Sequence, residues 1–317
     1  MNIIQITPAG QKSISGNRTT ANRCERIFRK LGHQVITATS YASQPADMMV
    51  AIHAYRSAES IKSFRQKYPS RPLMVCLGGT DINEFIYSHR ELTSRSMEMA
   101  DLLICLNDLV PKRVPKSLRH KARVIYQSAR PLIKPRSPSK RYFDICVVAN
   151  LRKVKDPMRA AIAVRSLPKE SQIRVIHFGS ASDPSLKRFA ALEMKSNSRY
   201  IWKGQVPAWR VRREFLKTQL MVISSFSEGG ANVVSEALVS SVPIVASKID
   251  GNIGLLGKDY EGYFPVGDEK ALMGLLLNIE NDPGFLSALT LQCQARADIF
   301  SCDREVEAWK EVFLNLN

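Results

Sequence analysis

The chain has 317 residues, of which 44% are hydrophobic and 24% charged, and its 46 Lys and Arg against 29 Asp and Glu give a formal net charge of +17. This composition is typical of globular proteins and argues against disordered, fibrous and disulfide-stabilised classes, while the length suits two domains of about 150 residues. Because no apolar run reaches the roughly 18 residues of a membrane span and no signal-peptide pattern opens the chain, we expect a cytoplasmic protein without a transmembrane segment.

The positive charge predicts an anionic partner. Basic residues are scattered, with mild concentrations at 111–124 and 134–141, and no nucleic-acid-binding motif is recognisable. We therefore expect no nucleic-acid partner, although a basic nucleic-acid- or membrane-binding protein without transferase activity stays an alternative. Peripheral membrane contact is compatible with the same charge.

Short apolar runs alternate with amphipathic stretches through the first 130 residues. The run NIIQI (2–6) precedes a stretch at 20–35 in which apolar side chains recur at helical spacing. Further strands are predicted at VITAT (35–39), DMMVAIHA (47–54), PLMVCLGGTD (72–81), ADLLICLN (100–107) and ARVIYQS (122–128).

A second alternating series follows a stretch rich in proline and basic residues (129–141), which is typical of a linker. Strands are predicted at FDICVVAN (143–150), IRVIHFG (173–179), RYIWKG (199–204), QLMVISSF (219–226) and PIVAS (243–247). Helices are predicted at 156–167, 185–195, 232–240, 269–281, 284–300 and 303–316.

This alternation predicts an α/β protein made of two doubly wound, Rossmann-like domains with parallel sheets that face a central cleft. The expected boundaries are an N-terminal domain at 1–130, a linker at 131–141 and a C-terminal domain at 142–302. A last helix at 303–317 is expected to pack back on the N-terminal domain.

The most informative stretch is SSFSEGGANVVSEALVSSVPIVAS (224–247), where a strand enters an acidic turn with paired glycines that opens a helix. Gly229 and Gly230 allow close approach of backbone amides, and the first helical turn offers N–H groups to a phosphate. Glu228 begins the turn and Glu236 follows eight residues later. Two such carboxylates can hold a polyhydroxylated ligand; in the structural alternative, Glu228 caps the helix and Glu236 is a solvated residue.

EGGANVVSEA resembles the signature of retaining glycosyltransferases of the two-Rossmann (GT-B) fold, the family-4 group. The resemblance implies that Glu228 contacts hydroxyls of the donor sugar and that Glu236 accepts hydrogen bonds from the nucleotide ribose. Arg152 and Lys155 match the family's basic pair on the donor diphosphate, where they would stabilise the leaving group. The donor-binding residues implied are Gly179, Gln205, Val206, Gly229, Gly230, Ala231, Asn232 and Glu236, with Gln205 and Val206 at the uracil.

Three polar loops at strand ends of the N-terminal domain point to one particular family within this group. SGNRTTANR (15–23), IHAYRSAES (52–60) and LGGTDIN (77–83), together with ANLRKVKDPMRAA and IGLLGKDYEGYFPVGD, are similar to the selenosugar synthase family (SenB type) of selenoneine biosynthesis, over nearly the whole chain. That resemblance implies UDP-N-acetylglucosamine as donor, selenophosphate as acceptor and a selenium-linked sugar as product.

The acceptor phosphate is then expected at the N-terminal loops, and an anionic selenium nucleophile demands no strong general base. The implied acceptor residues are Gly16, Asn17, Arg18, Arg56, Gly79 and Thr80, with His53 and Asp81 as orienting or proton-shuttling groups. No cluster of Asp or His suggests a metal, so we predict a metal-independent enzyme without a cofactor. The cysteines lack CxxC spacing and are expected as free thiols.

Other interpretations stay open. A sugar-nucleotide epimerase could use the same two-domain fold, and a family-4 glycosyltransferase could act on a cell-envelope or lipid-linked acceptor. The segment DGNIGLLG (250–257) fits either a donor-sugar contact or a simple glycine-rich loop, and Trp202 and Trp209 are expected to pack in the core.

Overall fold

The computed structural model describes residues 1–316, which fold as two compact units. Unit 1 comprises residues 1–128, residues 228–232 and the C-terminal segment from Cys302. Unit 2 comprises residues 129–227 and 233–301. The predicted C-terminal domain included residues 228–232, whereas the structure groups this segment with unit 1.

Unit 1 contains one six-stranded parallel sheet in the order β2-β1-β3-β4-β5-β6. Numbered in chain order, its strands are β1 (Asn2–Ile6), β2 (Gln34–Ala38), β3 (Met48–Ile52), β4 (Leu73–Cys76), β5 (Leu102–Cys105) and β6 (Ala122–Val124). Its helices are α1 (Gly16–Lys30), α2 (Ala58–Lys67), α3 (Ile86–Ser88), α4 (Arg90–Met99), α5 (Val110–Arg113) and α13 (Cys302–Leu314), with a π-helical turn at Asp81–Phe85 and a 3₁₀ turn at Lys116–Lys121.

The central strands β3, β4 and β5 of unit 1 are apolar without alternation because helices cover both faces of the sheet. All five residues of β3 are buried, and successive ones belong to different cores. Met49 and Ala51 join the core on one face, whereas Met48, Val50 and Ile52 join the core on the other.

Helix α13 belongs to the second of these cores. Trp309 and Phe313 pack edge-on against Phe28 of α1, with ring centroids 4.8 and 5.2 Å apart. Three aromatic side chains with such geometry contribute both buried area and favourable ring electrostatics. The C-terminal helix is therefore an integral part of unit 1.

Unit 2 contains a second six-stranded parallel sheet in the order β12-β11-β10-β7-β8-β9. Its strands are β7 (Phe143–Val148), β8 (Ile173–Phe178), β9 (Tyr200–Trp202), β10 (Leu220–Ile223), β11 (Ile244–Ser247) and β12 (Tyr263–Phe264). Its helices are α6 (Arg159–Ala163), α7 (Pro184–Ser196), α8 (Ala208–Phe215), α9 (Asn232–Val239), α10 (Asp250–Leu256), α11 (Glu269–Asn281) and α12 (Pro283–Ala297), with 3₁₀ turns at Lys153–Lys155, Val164–Ser166 and Asp298–Phe300.

The predicted α/β class with two doubly wound parallel sheets is confirmed. Of the two alternatives for 250–257, the simple glycine-rich loop is wrong, because the segment forms α10 with five of its residues buried. The helix ends at Gly257, whose φ of 94° favours glycine. The donor-sugar contact stays a prediction. The expected packing of Trp209 is also wrong, since its side chain is 56% exposed on α8. Within residues 1–316, no helix combines the length and hydropathy that a membrane span requires.

Candidate functional site

The sheet order of unit 2 reverses between β7 and β10, and ligands of doubly wound sheets bind at such a switch point, beyond the carboxyl ends of the strands. The loop that follows β7 carries Arg152, which is exposed, and Lys155, which is half-buried. Both residues that sequence analysis assigned to the donor diphosphate therefore lie at the position that the topology selects.

The loop after β7 is held in place by the loop after β10. Phe226 N donates to Val154 O at 2.9 Å, and Ser224 Oγ donates to Asp156 O at 2.7 Å. Asp156 adopts a left-handed backbone with φ of 41°, and its carboxylate accepts a 2.7 Å hydrogen bond from Arg159 Nε. These contacts fix the backbone that presents the two cations.

Gly179, which sequence analysis assigned to donor binding, follows β8 directly and packs against the loop after β7. A Cβ at this position would lie 1.9 Å from Ala149 O and 2.9 Å from Asn150 Cα, so the backbones approach more closely than any side chain allows. Asn150 Oδ1 ties the two loops together by accepting hydrogen bonds from the backbone amide and hydroxyl of Ser180, at 2.9 and 3.0 Å.

A buried histidine lies beneath this junction. His177 contacts Ala149 O through Nε2 and the Tyr200 hydroxyl through Nδ1, both at 2.8 Å. Burial lowers the pKa of His177 to about 4, since an imidazolium cation would be desolvated there. The ring is therefore neutral at physiological pH and supports the loop after β7.

The remaining donor-binding assignments in unit 2 lie farther along the chain. Gln205 is exposed and Val206 half-buried, between β9 and α8. Glu236 is half-buried on α9, one turn after Asn232.

In unit 1 the strand order reverses between β1 and β3. The loop after β1 leads to Gly16, Asn17 and Arg18 at the start of α1, where Ser15 caps the helix by accepting a 3.4 Å hydrogen bond from Arg18 N. The loop after β3 carries His53 and Arg56. Four of the acceptor residues assigned from sequence thus follow the two strands at which ligands are expected, whereas Gly79 and Thr80 follow the neighbouring strand β4.

Within this loop region Arg18 is half-buried, and its Nε atom is shielded from solvent and has no hydrogen-bond partner in the described part of the chain. A buried donor of this kind needs an acceptor, and an anionic ligand could supply one. Arg56, by contrast, is exposed, with its guanidinium carbon 5.8 Å from the ring centre of Phe85.

The Glu228–Asn232 segment packs against the strand ends of unit 1. Asn83 Nδ2 donates to Glu228 O at 3.2 Å, and Asn107 Nδ2 donates to Gly229 O at 2.7 Å. A Cβ on Gly229 would lie 2.4 Å from Gly79 Cα, and one on Gly230 would lie 2.6 Å from Leu106 Cβ. The paired glycines of the turn are thus required by close contacts within unit 1.

The carbonyl contacts also orient the amides of this turn. In a planar trans peptide the C=O group and the following N–H group point in opposite directions. Because the carbonyls of Glu228 and Gly229 point to asparagine side chains, the amides of Gly229 and Gly230 point away from them. The Glu228 side chain is only 8% exposed.

Sequence analysis missed a buried ion pair that holds this segment. Arg23 on α1 donates to Glu305 of α13 at 3.1 Å through Nε and to Asn232 Oδ1 at 2.8 Å through Nη1. Glu305 Oε2 also accepts a 2.7 Å hydrogen bond from Ser128 N. The only signal was an arginine near the apolar stripe of α1; Asn83 and Asn107, also missed, gave none because their partners are more than 100 residues away.

His53, Thr80 and Asp81 meet in unit 1. His53 Nε2 lies 2.8 Å from Thr80 Oγ1, and His53 Nδ1 lies 2.6 Å from Asp81 Oδ1. Residues 1–316 contain no group of three or more His, Cys, Asp or Glu side chains arranged to hold a metal ion. Metal independence stays a prediction.

Two doubly wound parallel sheets with polar loops at their switch points are the arrangement of the GT-B fold class. The chain belongs to the family described as glycosyl transferases group 1, whose model matches residues 130–296, more than half of the sequence.

Relatives and solved structures agree with this class. The chain is 22% identical over 273 residues to glycosyltransferase 1 domain-containing protein 1 of Xenopus tropicalis, covering 78% of this chain and 79% of the relative. Its fold is similar to that of sucrose-phosphate synthase from Thermosynechococcus elongatus, with a TM-score of 0.81, 15% identity and coverage of 100% and 99% of the two chains. Anabaena HepE in complex with UDP gives a TM-score of 0.76 at 15% identity, with 99% and 100% covered.

Proposed function

We propose that this glycosyltransferase is a retaining enzyme that transfers N-acetylglucosamine from UDP-N-acetylglucosamine to selenophosphate in the cytoplasm. The bond between the anomeric carbon and the diphosphate oxygen breaks and its electron pair leaves with UDP, while the selenium atom forms the new bond to the same carbon. The products are UDP and a selenium-linked sugar.

The observation that carries the proposal is that the basic pair predicted from sequence lies at the switch point of the sheet in unit 2. Arg152 and Lys155 follow β7 where the sheet order of unit 2 reverses, and guanidinium and ammonium groups there can neutralise the charge that develops on a leaving diphosphate. The Anabaena HepE structures, which hold UDP and UDP-glucose, support a uridine diphosphate sugar as donor.

The remaining assignments complete the donor and acceptor roles. Glu228 is proposed to bind donor-sugar hydroxyls, and the oriented amides of Gly229 and Gly230 the diphosphate. Glu236 is proposed to accept from the ribose, because a carboxylate can accept from two vicinal hydroxyls.

The acceptor is proposed to bind at polar groups of unit 1 that can contact an anion. Arg18 presents a shielded Nε donor at the start of α1, and Thr80 presents a hydroxyl after β4. A selenophosphate anion can accept from Arg18 Nε and lie against the Thr80 hydroxyl, and neither contact needs a metal. An acceptor from the cell envelope stays the alternative.

The proposal is tested by incubating the purified protein with UDP-N-acetylglucosamine and selenophosphate and following UDP release and selenium-containing sugar by mass spectrometry. Glu228→Ala is expected to abolish transfer, while Glu170→Ala, at an exposed turn, keeps wild-type turnover. Circular dichroism verifies that both variants fold.

Three results would contradict parts of the proposal. Wild-type turnover in Glu228→Ala would remove the donor-sugar assignment. UDP-N-acetylmannosamine formed without acceptor would indicate an epimerase, and transfer only to a lipid-linked sugar would replace selenophosphate as the acceptor.

A further inference from the structure

A chain of three side chains connects a partly exposed hydroxyl of unit 1 to a fully buried carboxylate. Thr80, on the turn after β4, lies 2.8 Å from His53 Nε2, and His53 Nδ1 lies 2.6 Å from Asp81 Oδ1. Thr80 is half-buried, whereas His53 is 1% and Asp81 0% exposed. The hydroxyl is therefore the member of the chain that a ligand can reach.

The hydrogen bonds of Asp81 show which nitrogen of His53 carries the proton. The Asp81 carboxylate accepts from the backbone amides of Ala54, Tyr55 and Gly78 at 2.8 to 3.0 Å, in addition to His53. A carboxylate can only accept, so His53 Nδ1 carries the proton that faces it. The 3.3 Å approach of Arg56 N to the same nitrogen is then a secondary contact, since Nδ1 cannot both donate and accept.

With the proton on Nδ1, the lone pair of His53 Nε2 faces Thr80. The Thr80 hydroxyl therefore donates to the imidazole, and its oxygen lone pairs face away from it and can accept a proton from a ligand. The order hydroxyl, imidazole, carboxylate is the arrangement by which serine hydrolases move a proton through histidine.

The backbone maintains this arrangement at an energetic cost. His53 has φ of 80°, in the left-handed region that residues other than glycine uncommonly adopt. A Cβ on Gly78 would lie 3.2 Å from His53 Cδ2, and Phe85 packs 5.6 Å from the imidazole. A strained residue locked on several sides is typical of a functional position.

The three hydrogen-bonded side chains of Thr80, His53 and Asp81 also lie beside the segment proposed to bind the donor sugar. Gly79, the residue before Thr80, packs against the backbone of Gly229. Within unit 1 the hydroxyl and the Glu228 turn are therefore neighbours.

We propose that Thr80 is a catalytic residue that removes a proton from the acceptor, with His53 and Asp81 as positioning residues that make its oxygen basic. This inference rests on the proposed function and revises one expectation from the sequence: the acceptor binds in a protonated form, as hydrogen selenophosphate, and not as the fully deprotonated anion that would need no base. The selenium forms its bond to the anomeric carbon as UDP leaves, the acceptor proton passes to Thr80 Oγ1, and the Thr80 proton passes to His53 Nε2. The imidazolium then returns its proton to water through Thr80.

The relay needs the lone pair of His53 Nε2 at the start of each turnover, so kcat should depend on whether residue 53 can accept a proton from Thr80. Other ionisable groups surround the ring: Asp81, Arg56 on the loop after β3, His89 and Tyr55 stacked near Phe85, and Glu228 on the segment against Gly79. A variant at His53 therefore separates the contribution of this ring from those of its neighbours.

The experiment measures kcat and KM from pH 5 to 9 in the wild-type protein and in Thr80→Val, Thr80→Ser, His53→Asn and Thr39→Val. Thr80→Val should lower kcat by about 10²- to 10⁴-fold with KM within about threefold, and Thr80→Ser should recover kcat to within about tenfold of wild type. His53→Asn, which tolerates the left-handed backbone, should lower kcat as Thr80→Val does while leaving KM within about threefold of wild type. Thr39→Val, at an exposed residue after β2, should equal wild type.

Two kinds of failure are distinguishable. If the wild-type protein transfers sugar and Thr80→Val keeps its kcat and pH profile, the relay is overturned while the proposed function stands. If the wild-type protein forms no selenium-linked sugar, both are overturned. UDP affinity measured by calorimetry should be unchanged in Thr80→Val, and a loss of UDP binding there would also refute a role confined to the acceptor.

Discussion

Replacing Arg23 by methionine tests whether the ion pair with Glu305 holds the Glu228–Asn232 segment in place. The side chains of Arg23 and Glu305 are 7% and 2% exposed, so both ions are almost fully desolvated. Removal of one partner from such a pair leaves an uncompensated charge and costs about 3–5 kcal/mol. Arg23→Met also removes the hydrogen bond to Asn232, so we expect the upper part of this range.

The contribution of the pair is isolated by a double-mutant cycle. Glu305→Gln removes the charge but keeps an oxygen that can accept from Ser128 N. The double variant buries no unpaired ion, and we expect it to recover about 2 kcal/mol relative to the sum of the single variants. Arg26→Met, an exposed change on the same helix, should cost less than about 0.5 kcal/mol.

The assay is hydrogen exchange of amides in α1 and α13, which reports the opening free energy of these helices directly. Transfer activity measured in parallel should fall by about tenfold or more in Arg23→Met, since a loss near 1.4 kcal/mol in binding or positioning corresponds to one decade. A cost below about 1 kcal/mol, or additivity of the two single changes, would refute the reasoning.

Three further predictions concern unit 2. Gly179→Ala should weaken UDP binding at least about tenfold in calorimetry, because its Cβ would displace the loop that carries Arg152 and Lys155, whereas Gly274→Ala, with open space around its Cβ, should bind UDP normally. Burial lowers the pKa of His177 to about 4, so only the unfolded protein takes up a proton as the pH falls from 6.5 toward 4. The contribution of His177 to the free energy of unfolding is therefore fully present above pH 6.5, and it decreases by up to about 3 kcal/mol as the pH falls to 4. Urea titrations should show a flatter pH dependence in His177→Gln, and an unchanged slope would exclude this cause. Excess EDTA should leave transfer unaffected, and a loss restored by Mg²⁺ or Mn²⁺ would show that the two cations do not suffice.

Most strands could be predicted because sheets covered on both faces need continuous apolar runs, and such runs are visible in sequence. LMVC (73–76) and LMVI (220–223) are examples, and both are entirely buried. The α10 helix was missed because its two glycines predict a loop locally, and five of its seven residues are buried in the folded unit. Trp209 was assigned to the core because aromatic residues usually pack there, yet α8 places it on the exposed side.

The sequence alone determined which residues could bind a nucleotide sugar: an acidic turn with paired glycines, a basic pair after a strand and polar loops at strand ends depend on neighbours in the chain. Only the tertiary structure decided which of these groups meet. The Glu228 turn lies with unit 1 because Asn83, Asn107 and Gly79 contact its backbone. Thr80, His53 and Asp81 meet because β3 and β4 are adjacent in the sheet. Contacts between distant segments depend on strand order and close packing, which a local pattern of residues does not encode.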